Sequence, residues 1–215
     1  MMLPEWFAPF ASRAQHVTAD DLHWQPVPKT EEKQAAVLVL FGPHDSFGEI
    51  VLIERPAHMR SHAGQPAFPG GRVEPTDASF TAAALREAQE EIGLDINSVT
   101  VIAELPELWL PPSRFKVTPV VAWWDEPHEL RIVDPVEVQA IHRIPITEFI
   151  DPTHRVRVKT RSGFLGPAFN VRNLLVWGFT GGVLSQLIDL AGWTRPWDDS
   201  VVVEVPPSHL SQVQE

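Results

Sequence analysis

The sequence predicts an α+β protein in which a β-sheet is layered between helices (α/β/α), on three observations. Short apolar runs of strand length recur between turn-rich segments, only two or three segments carry helical periodicity, and 44% of the 215 residues are hydrophobic, enough for one sizeable core.

Taken in order, residues 1–33 read as a proline-spaced N-terminal extension with one short helix near Trp6–Ser12. The main domain is expected over 34–197. Gln34–Phe41 and Glu49–Glu54 are apolar strands joined across GPHDSFG, a hairpin signal. Residues 55–76, rich in Gly, Pro, Arg and His, have no sustained period and read as a long loop of the kind that often carries function. The run ASFTAAALREAQEEI then forms a helix capped by Thr76 or Asp77 and closed by Gly93. Strands follow near Val99–Leu105, Phe115–Trp123 and Val138–Ile144, a basic strand is expected in RVRVKTR (155–161), and a last helix spans about Phe179–Leu190. Residues 198–215 read as a loosely attached C-terminal tail. The 21 prolines act as punctuation between elements, since no low-complexity tract or repeat accompanies them.

Composition narrows the function. With 17 Lys+Arg against 28 Asp+Glu the net charge is −11, which excludes broad nucleic-acid binding and disfavours anionic membrane surfaces. No apolar run is long enough to span a bilayer, and the N-terminus, MMLPEWFAPF, lacks a basic segment ahead of an apolar one, so a cytoplasmic protein is expected. Cysteine is absent, which removes disulfides and thiolate chemistry, and tyrosine is absent, which removes phenol chemistry. A bound metal must therefore be held by oxygen or imidazole.

The chemistry concentrates in LREAQEEIG, residues 85–93. At about 100° per residue, Arg86, Glu90, Glu87 and Glu91 fall within an arc of roughly 140°, while Leu85, Ala88 and Ile92 occupy the other side. Like charges three and four residues apart each cost a few tenths of a kcal/mol, and acids in the last two turns oppose the helix dipole by about 0.3–1 kcal/mol. A missing cation would resolve the conflict, and all-oxygen ligation suits Mg²⁺ or Mn²⁺. The helix alone is equally compatible with a solvated acidic face.

The preceding segment shifts that balance. FPGGRVEPTDASFTAAALREAQEEIGL, residues 68–94, resembles the Nudix box, G-x5-E-x7-R-E-U-x-E-E-x-G-U with U apolar. Gly71, Arg86, Glu87, Glu90, Glu91, Gly93 and Leu94 match, and Ala88 fills an apolar position. Gly71 and Arg86 are 15 positions apart where the pattern has 14, so the usual first glutamate falls on Asp77 counted from the glycine and on Ala78 counted from the arginine. VLIERPAHMRSHAGQPAFPGG, residues 51–71, is similar to the coenzyme A pyrophosphatase branch of that superfamily through Arg55, Arg60, Gly64 and Phe68–Gly71, with Ile53 and Pro56 where Thr and Ser are usual.

The resemblance implies a Nudix fold with a mixed sheet between helices. It also implies metal-dependent hydrolysis of CoA or acyl-CoA to 3′,5′-ADP and 4′-phosphopantetheine or its acylated form, with other nucleoside diphosphate derivatives or triphosphates as alternative substrates. Loss of hydrolysis, leaving a nucleotide-binding module, would be expected to remove box glutamates, and all three are present. By the same resemblance Glu87, Glu90, Glu91 and the Gly70 carbonyl would hold metal. Glu90 or Glu91 would orient water, and Arg86 would orient the glutamates.

Arg55, Arg60 and Gly71 would meet substrate, though the two arginines can equally be surface charge. Arg157 and Lys159 would reach a substrate phosphate or protect an edge strand. His58 and His62 lack a third ligand. Trp123, Trp124 and Trp177 sit in apolar runs and read as core rather than base-stacking platforms. A later loop can supply a further acid, with Asp125, Glu126 and Glu137 as candidates. The partner is a small CoA-like nucleotide, with no nucleic acid or membrane, and a homodimer is an admissible assembly.

Overall fold

Strands that must be covered on both faces read as unbroken apolar runs, and two such runs form the spine of the molecule. In the computed structural model, which describes residues 3–28, 33–45, 47–57, 63–111, 113–160 and 163–206, these are β1 (Lys33–Gly42) and β7 (Phe115–Trp124), which pair in parallel along nearly their whole length. The elements run α1 (Ala8–Ala14), β1, β2 (Glu49–Glu54), β3 (Pro66–Ala67), β4 (Gly70–Arg72), α2 (Phe80–Ile92), β5 (Val99–Glu104), β6 (Leu108–Leu110), β7, β8 (Ala140–Pro145), α3 (Ile146–Phe149), β9 (Arg155–Lys159), β10 (Leu165–Val171), β11 (Leu174–Val176), α4 (Gly178–Ala191) and β12 (Val202–Glu204).

The main sheet has the order β3-β2-β1-β7-β5, with β4 on β1, β6 on β7 and β8 on β2. All its pairings except β1 with β7 are antiparallel, so the sheet is mixed as expected. Period-2 alternation splits β1 between two cores. Ala36, Leu38 and Leu40 face α2, whereas Val39 and Phe41 face the layer containing α1 and α4. A second sheet, β11-β10-β9-β12, packs beside them around Val156, Val158 and Ala168.

The termini are more integrated than the sequence suggests. The segment expected as an extension contributes Phe7 and Phe10, 0% and 1% exposed, to the same aromatic cluster as Phe41, Trp123 and Trp193. Burying each of these phenylalanines is worth roughly 1.5–3 kcal/mol. The expected loose tail contributes β12, which pairs in parallel with β9, and the buried Val205. Phe7, Phe10 and residues 202–205 are tied down by tertiary packing and pairing that local pattern does not reveal. The long loop 55–76 likewise contains two short strands, β3 and β4, of which β4 is held against Ala35–Val37 of β1.

Trp123 and Trp124 are core, 5% and 0% exposed, and Trp124 donates its indole N–H to Ser98 Oγ at 3.1 Å. Trp177 is half-buried beside the second sheet's core. Among the described residues, no helix is long and apolar enough to cross a membrane.

Candidate active site

Helix α2 starts later than the sequence suggests. Its N-cap is Ser79, whose hydroxyl accepts from the Ala82 N–H at 3.0 Å, rather than Thr76 or Asp77. Asp77 is engaged elsewhere: its two carboxylate oxygens accept from Arg86 Nε and Nη2, both at 3.0 Å, and one also accepts from the Glu74 N–H at 2.8 Å. The helix ends at Gly93 in the left-handed region, where the Gly93 and Leu94 N–H groups cap the last turn. Ala83, Ala84, Ala88 and Ile92 are fully buried against the main sheet, leaving Arg86, Glu87 and Glu90 on the other side.

That side is a network centred on Arg86. Besides the bidentate pair with Asp77, its Nη1 donates to Glu87 Oε1 at 3.1 Å and Glu90 Oε2 at 2.9 Å, and its Nη2 donates to the Arg72 carbonyl at 3.1 Å. One guanidinium thus ties the turn before α2, strand β4 and two glutamates together. The sequence left the displaced acid of the box open between Asp77 and Ala78, and the structure places Asp77 against the arginine. The Arg86 guanidinium in turn holds the Asp77 carboxyl below the usual carboxylate range, with the Glu74 N–H assisting.

Strand β4 meets this network at two glycines with separate reasons. Gly70 has φ of +148°, and a Cβ there would collide with the Ala36 carbonyl oxygen and lie 2.6 Å from Val37 Cα, so only glycine lets β4 close on β1. At Gly71 a Cβ would lie 2.5–2.7 Å from all three atoms of the Glu87 carboxyl group. The missing side chain is the space in which the Glu87 carboxylate sits. Gly70 also donates its N–H to Glu91 Oε2 at 2.9 Å, 21 residues along the chain.

Glu91 is the most enclosed of the α2 glutamates. Its side chain is 2% exposed, and Oε1 is buried without a hydrogen-bond partner among the described residues. Burial pushes its carboxyl up to about 8, against the Gly70 N–H and the Arg55 charge, while Glu87 and Glu137 push in the same direction as burial. Burial also raises Glu87, with Arg86 opposing. Glu90, at 58% exposed, faces solvent.

These residues suit a hard divalent cation in their donor chemistry. The donors are all oxygen, one buried carboxylate oxygen lacks a partner among the described residues, and burial disfavours the charged forms of Glu87 and Glu91, which a bound cation would stabilise. Among the described residues no three acidic or histidine side chains converge on one point, because Arg86 draws Glu87 and Glu90 towards itself.

Beyond the helix, Arg55 and Glu137 join the site. Arg55 Nη2 donates to Glu137 Oε2 at 3.1 Å, and both charges act on Glu91. Of the three candidate later acids, Glu137 is therefore the one beside the helix. Asp125 accepts from Thr100 at 2.5 Å instead, and the backbone N–H groups of Asp125 and Glu126 both donate to the Ser98 carbonyl. Sequence spacing gave no means of choosing. Glu137 comes close because Gln139 bonds to Glu54 and β8 pairs with β2, which ends beside Arg55.

Arg60, His58, His62 and Arg161 lie outside the described residues. Arg157 and Lys159 are not brought to the glutamates by any described bond; they lie on β9, which runs between β10 and β12 and so is not an edge strand. Arg155, on the same strand face, is structural: 8% exposed, with Nη2 donating to Ser185 Oγ at 2.6 Å and the guanidinium over Trp197.

The family described as NUDIX domain matches residues 32–161, more than half of the chain. The chain is 38% identical over 161 residues to the Nudix hydrolase NudL of Cronobacter sakazakii, covering 73% of this chain and 81% of that protein. It is 32% identical over 157 residues to a probable nudix hydrolase of Schizosaccharomyces pombe, covering 72% of this chain and 55% of the relative, so it spans only about half of that longer protein.

Solved structures share the fold at lower identity. A Nudix hydrolase from Alicyclobacillus acidocaldarius superposes with a TM-score of 0.55 at 18% identity, covering 75% of this chain and 93% of that one. RenU, a Nudix hydrolase from M. smegmatis, gives 0.54 at 18% identity, covering 78% and 90%. With the glutamates, Arg86 and the two glycines arranged as above, these likenesses establish that the chain belongs to the Nudix hydrolase family.

Proposed function

We propose that the protein hydrolyses the pyrophosphate bond of CoA or acyl-CoA, releasing 3′,5′-ADP and 4′-phosphopantetheine or its acylated form. The observation that carries the hydrolytic reading is the pair of enclosed carboxylates, Glu87 and Glu91, packed on Gly71 and Gly70, with one oxygen of Glu91 unpartnered among the described residues. The sequence around Arg55 and Phe68–Gly71 supports the CoA branch.

Glu87, Glu91, Glu90 and the Gly70 carbonyl would hold Mg²⁺ or Mn²⁺, which when bound neutralises phosphate oxygens and acidifies a water. Arg86 keeps the glutamates in register through its bonds to Glu87, Glu90 and Asp77. Water adds to one phosphorus, the bridging P–O bond breaks, and the proton from water passes to a solvent-open carboxylate, Glu90 or Glu137. Arg55, whose guanidinium is 23% exposed and held by Glu137, is placed to exchange that partner for a substrate phosphate.

The two departures from the branch pattern do not count against it physically. Ile53 is 0% exposed in the core beneath α2 and Pro56 is buried, so neither presents a side chain to substrate. A panel of CoA, acetyl-CoA, ADP-ribose, NADH and ATP with Mg²⁺ or Mn²⁺, read by product mass, tests the assignment. CoA should yield 3′,5′-ADP, and rapid turnover of ADP-ribose with none of CoA would overturn the branch while leaving the hydrolytic chemistry intact.

A further inference from the structure

The connection between β7 and β8, residues 125–139, contains no helix or strand, yet it is pinned along its length. The Arg131 and Val133 N–H groups donate to the Ile92 and Glu91 carbonyls at the end of α2, at 3.1 and 3.0 Å, and the Gln139 N–H donates to the Glu54 carbonyl at 2.8 Å. Leu130 and Val138 anchor the segment in the core beneath α2. A structureless connection of this length inside a compact domain is uncommon and usually functional.

Residues 134–137 form a tight turn within it. The Glu137 N–H donates to the Asp134 carbonyl at 3.3 Å, and the Asp134 carboxylate accepts from the Val136 N–H at 2.8 Å. Asp134 and Pro135 are residue types that such turns favour, and Val136 is not. Val136 is 67% exposed, and Val133, just before the turn, is 47% exposed. Branched apolar side chains held in water on a fixed turn contribute little to the fold, so the turn itself supplies no reason for valine.

The chemistry lies next to this turn. Val136 adjoins Glu137, whose carboxylate accepts from Arg55 Nη2 at 3.1 Å and whose charge acts on both Glu87 and Glu91. Consecutive Cα atoms are about 3.8 Å apart, and the Glu137 carboxylate is one side chain from that backbone. The group esterified to a phosphate held at Arg55 in place of Glu137 therefore reaches the turn. In CoA the two sides of the diphosphate differ there. One side carries a ribose. The other carries, one methylene from the phosphate oxygen, a quaternary carbon with two methyl groups, which ADP-ribose, NADH and nucleoside triphosphates lack.

We propose that Val136, with Val133 beside it, is the contact for this dimethyl carbon, so that the turn determines specificity for the pantetheine side of the diphosphate. The identification of the ligand rests on the CoA reading. The valines exclude water from the two methyl groups and leave the phosphate to Arg55; a second ribose in that place would set hydroxyls against them without a partner.

Calorimetry in Mg²⁺ buffer with 4′-phosphopantetheine and its analogue bearing a plain methylene at the dimethyl carbon tests it, since neither has a diphosphate to hydrolyse. The wild type should bind the dimethyl compound at least about fivefold more tightly, a difference of about 1 kcal/mol. The double variant Val133→Ser, Val136→Ser should bring the two affinities within about twofold while leaving that for the analogue unchanged, and Val136→Ile alone should keep the preference. Sedimentation should give one oligomeric state for wild type and double variant. The contact is overturned by absence of the preference in the wild type or by its survival in the double variant. A wild-type dimer that the double variant dissolves would also overturn it, by assigning the turn to a second copy of the chain. Failure of the wild type to hydrolyse CoA, with the preference present and lost on double substitution, would overturn the CoA assignment and leave the valine contact standing.

Discussion

Replacing Glu91 by Gln should stabilise the metal-free protein at alkaline pH. The glutamine oxygen can still accept from the Gly70 N–H, while the buried charge disappears. Glu91 titrates near 8 in the folded protein, against a usual value of 4.5. Between those values the folded chain binds a proton that the unfolded chain has released, so stability falls as pH rises through this window. At about 1.4 kcal/mol per pH unit, the wild type should lose about 4 kcal/mol from this group between about pH 5 and about pH 8.5, a loss that Glu91→Gln should escape.

The assay is urea denaturation of both proteins in EDTA across that range. The stability difference between variant and wild type should widen with pH, and Mg²⁺ or Mn²⁺ should narrow it at pH 8.5 by stabilising only the wild type appreciably. Parallel pH dependences in EDTA would refute the claim that Glu91 carries an uncompensated buried charge.

Two further substitutions probe the scaffold. Gly71→Ala places a Cβ 2.5 Å from Glu87 Oε1 and must displace that carboxylate, so kcat should fall about 100-fold, the scale expected for an ångström-sized misplacement; unchanged steady-state kinetics would contradict the seating of Glu87 on Gly71. Phe7→Ala, far from the chemistry, should cost about 3–5 kcal/mol because the ring is 0% exposed among Phe10, Phe41 and Trp123. A shift below about 1 kcal/mol in urea denaturation would show that the N-terminal segment is not integral to the core.

Legibility in the sequence followed the range of the interactions. Strands β1, β2, β5 and β7 and helices α2 and α4 are close to the expected spans because each is long enough to carry its own period. The three-residue strands β6, β11 and β12 carry no readable period and exist through the neighbours they pair with. The α2 N-cap moved to Ser79 because Asp77, a good cap in isolation, gains more from the bidentate arginine nine residues on.

The same division runs through the site. Glu87, Glu90, Glu91 and Arg86 were legible because helical spacing alone gathers them on one side of α2. So was the cation deficit, since like charges at three- and four-residue spacing are costly in any helix. That Asp77 pairs with Arg86 and that Glu137 rather than Asp125 stands beside Glu91 were decided by the tertiary structure. Asp77 and Glu137 are separated from their partners Arg86 and Arg55 by 9 and 82 residues in the chain, and sheet pairing and burial bring them together where no local periodicity can.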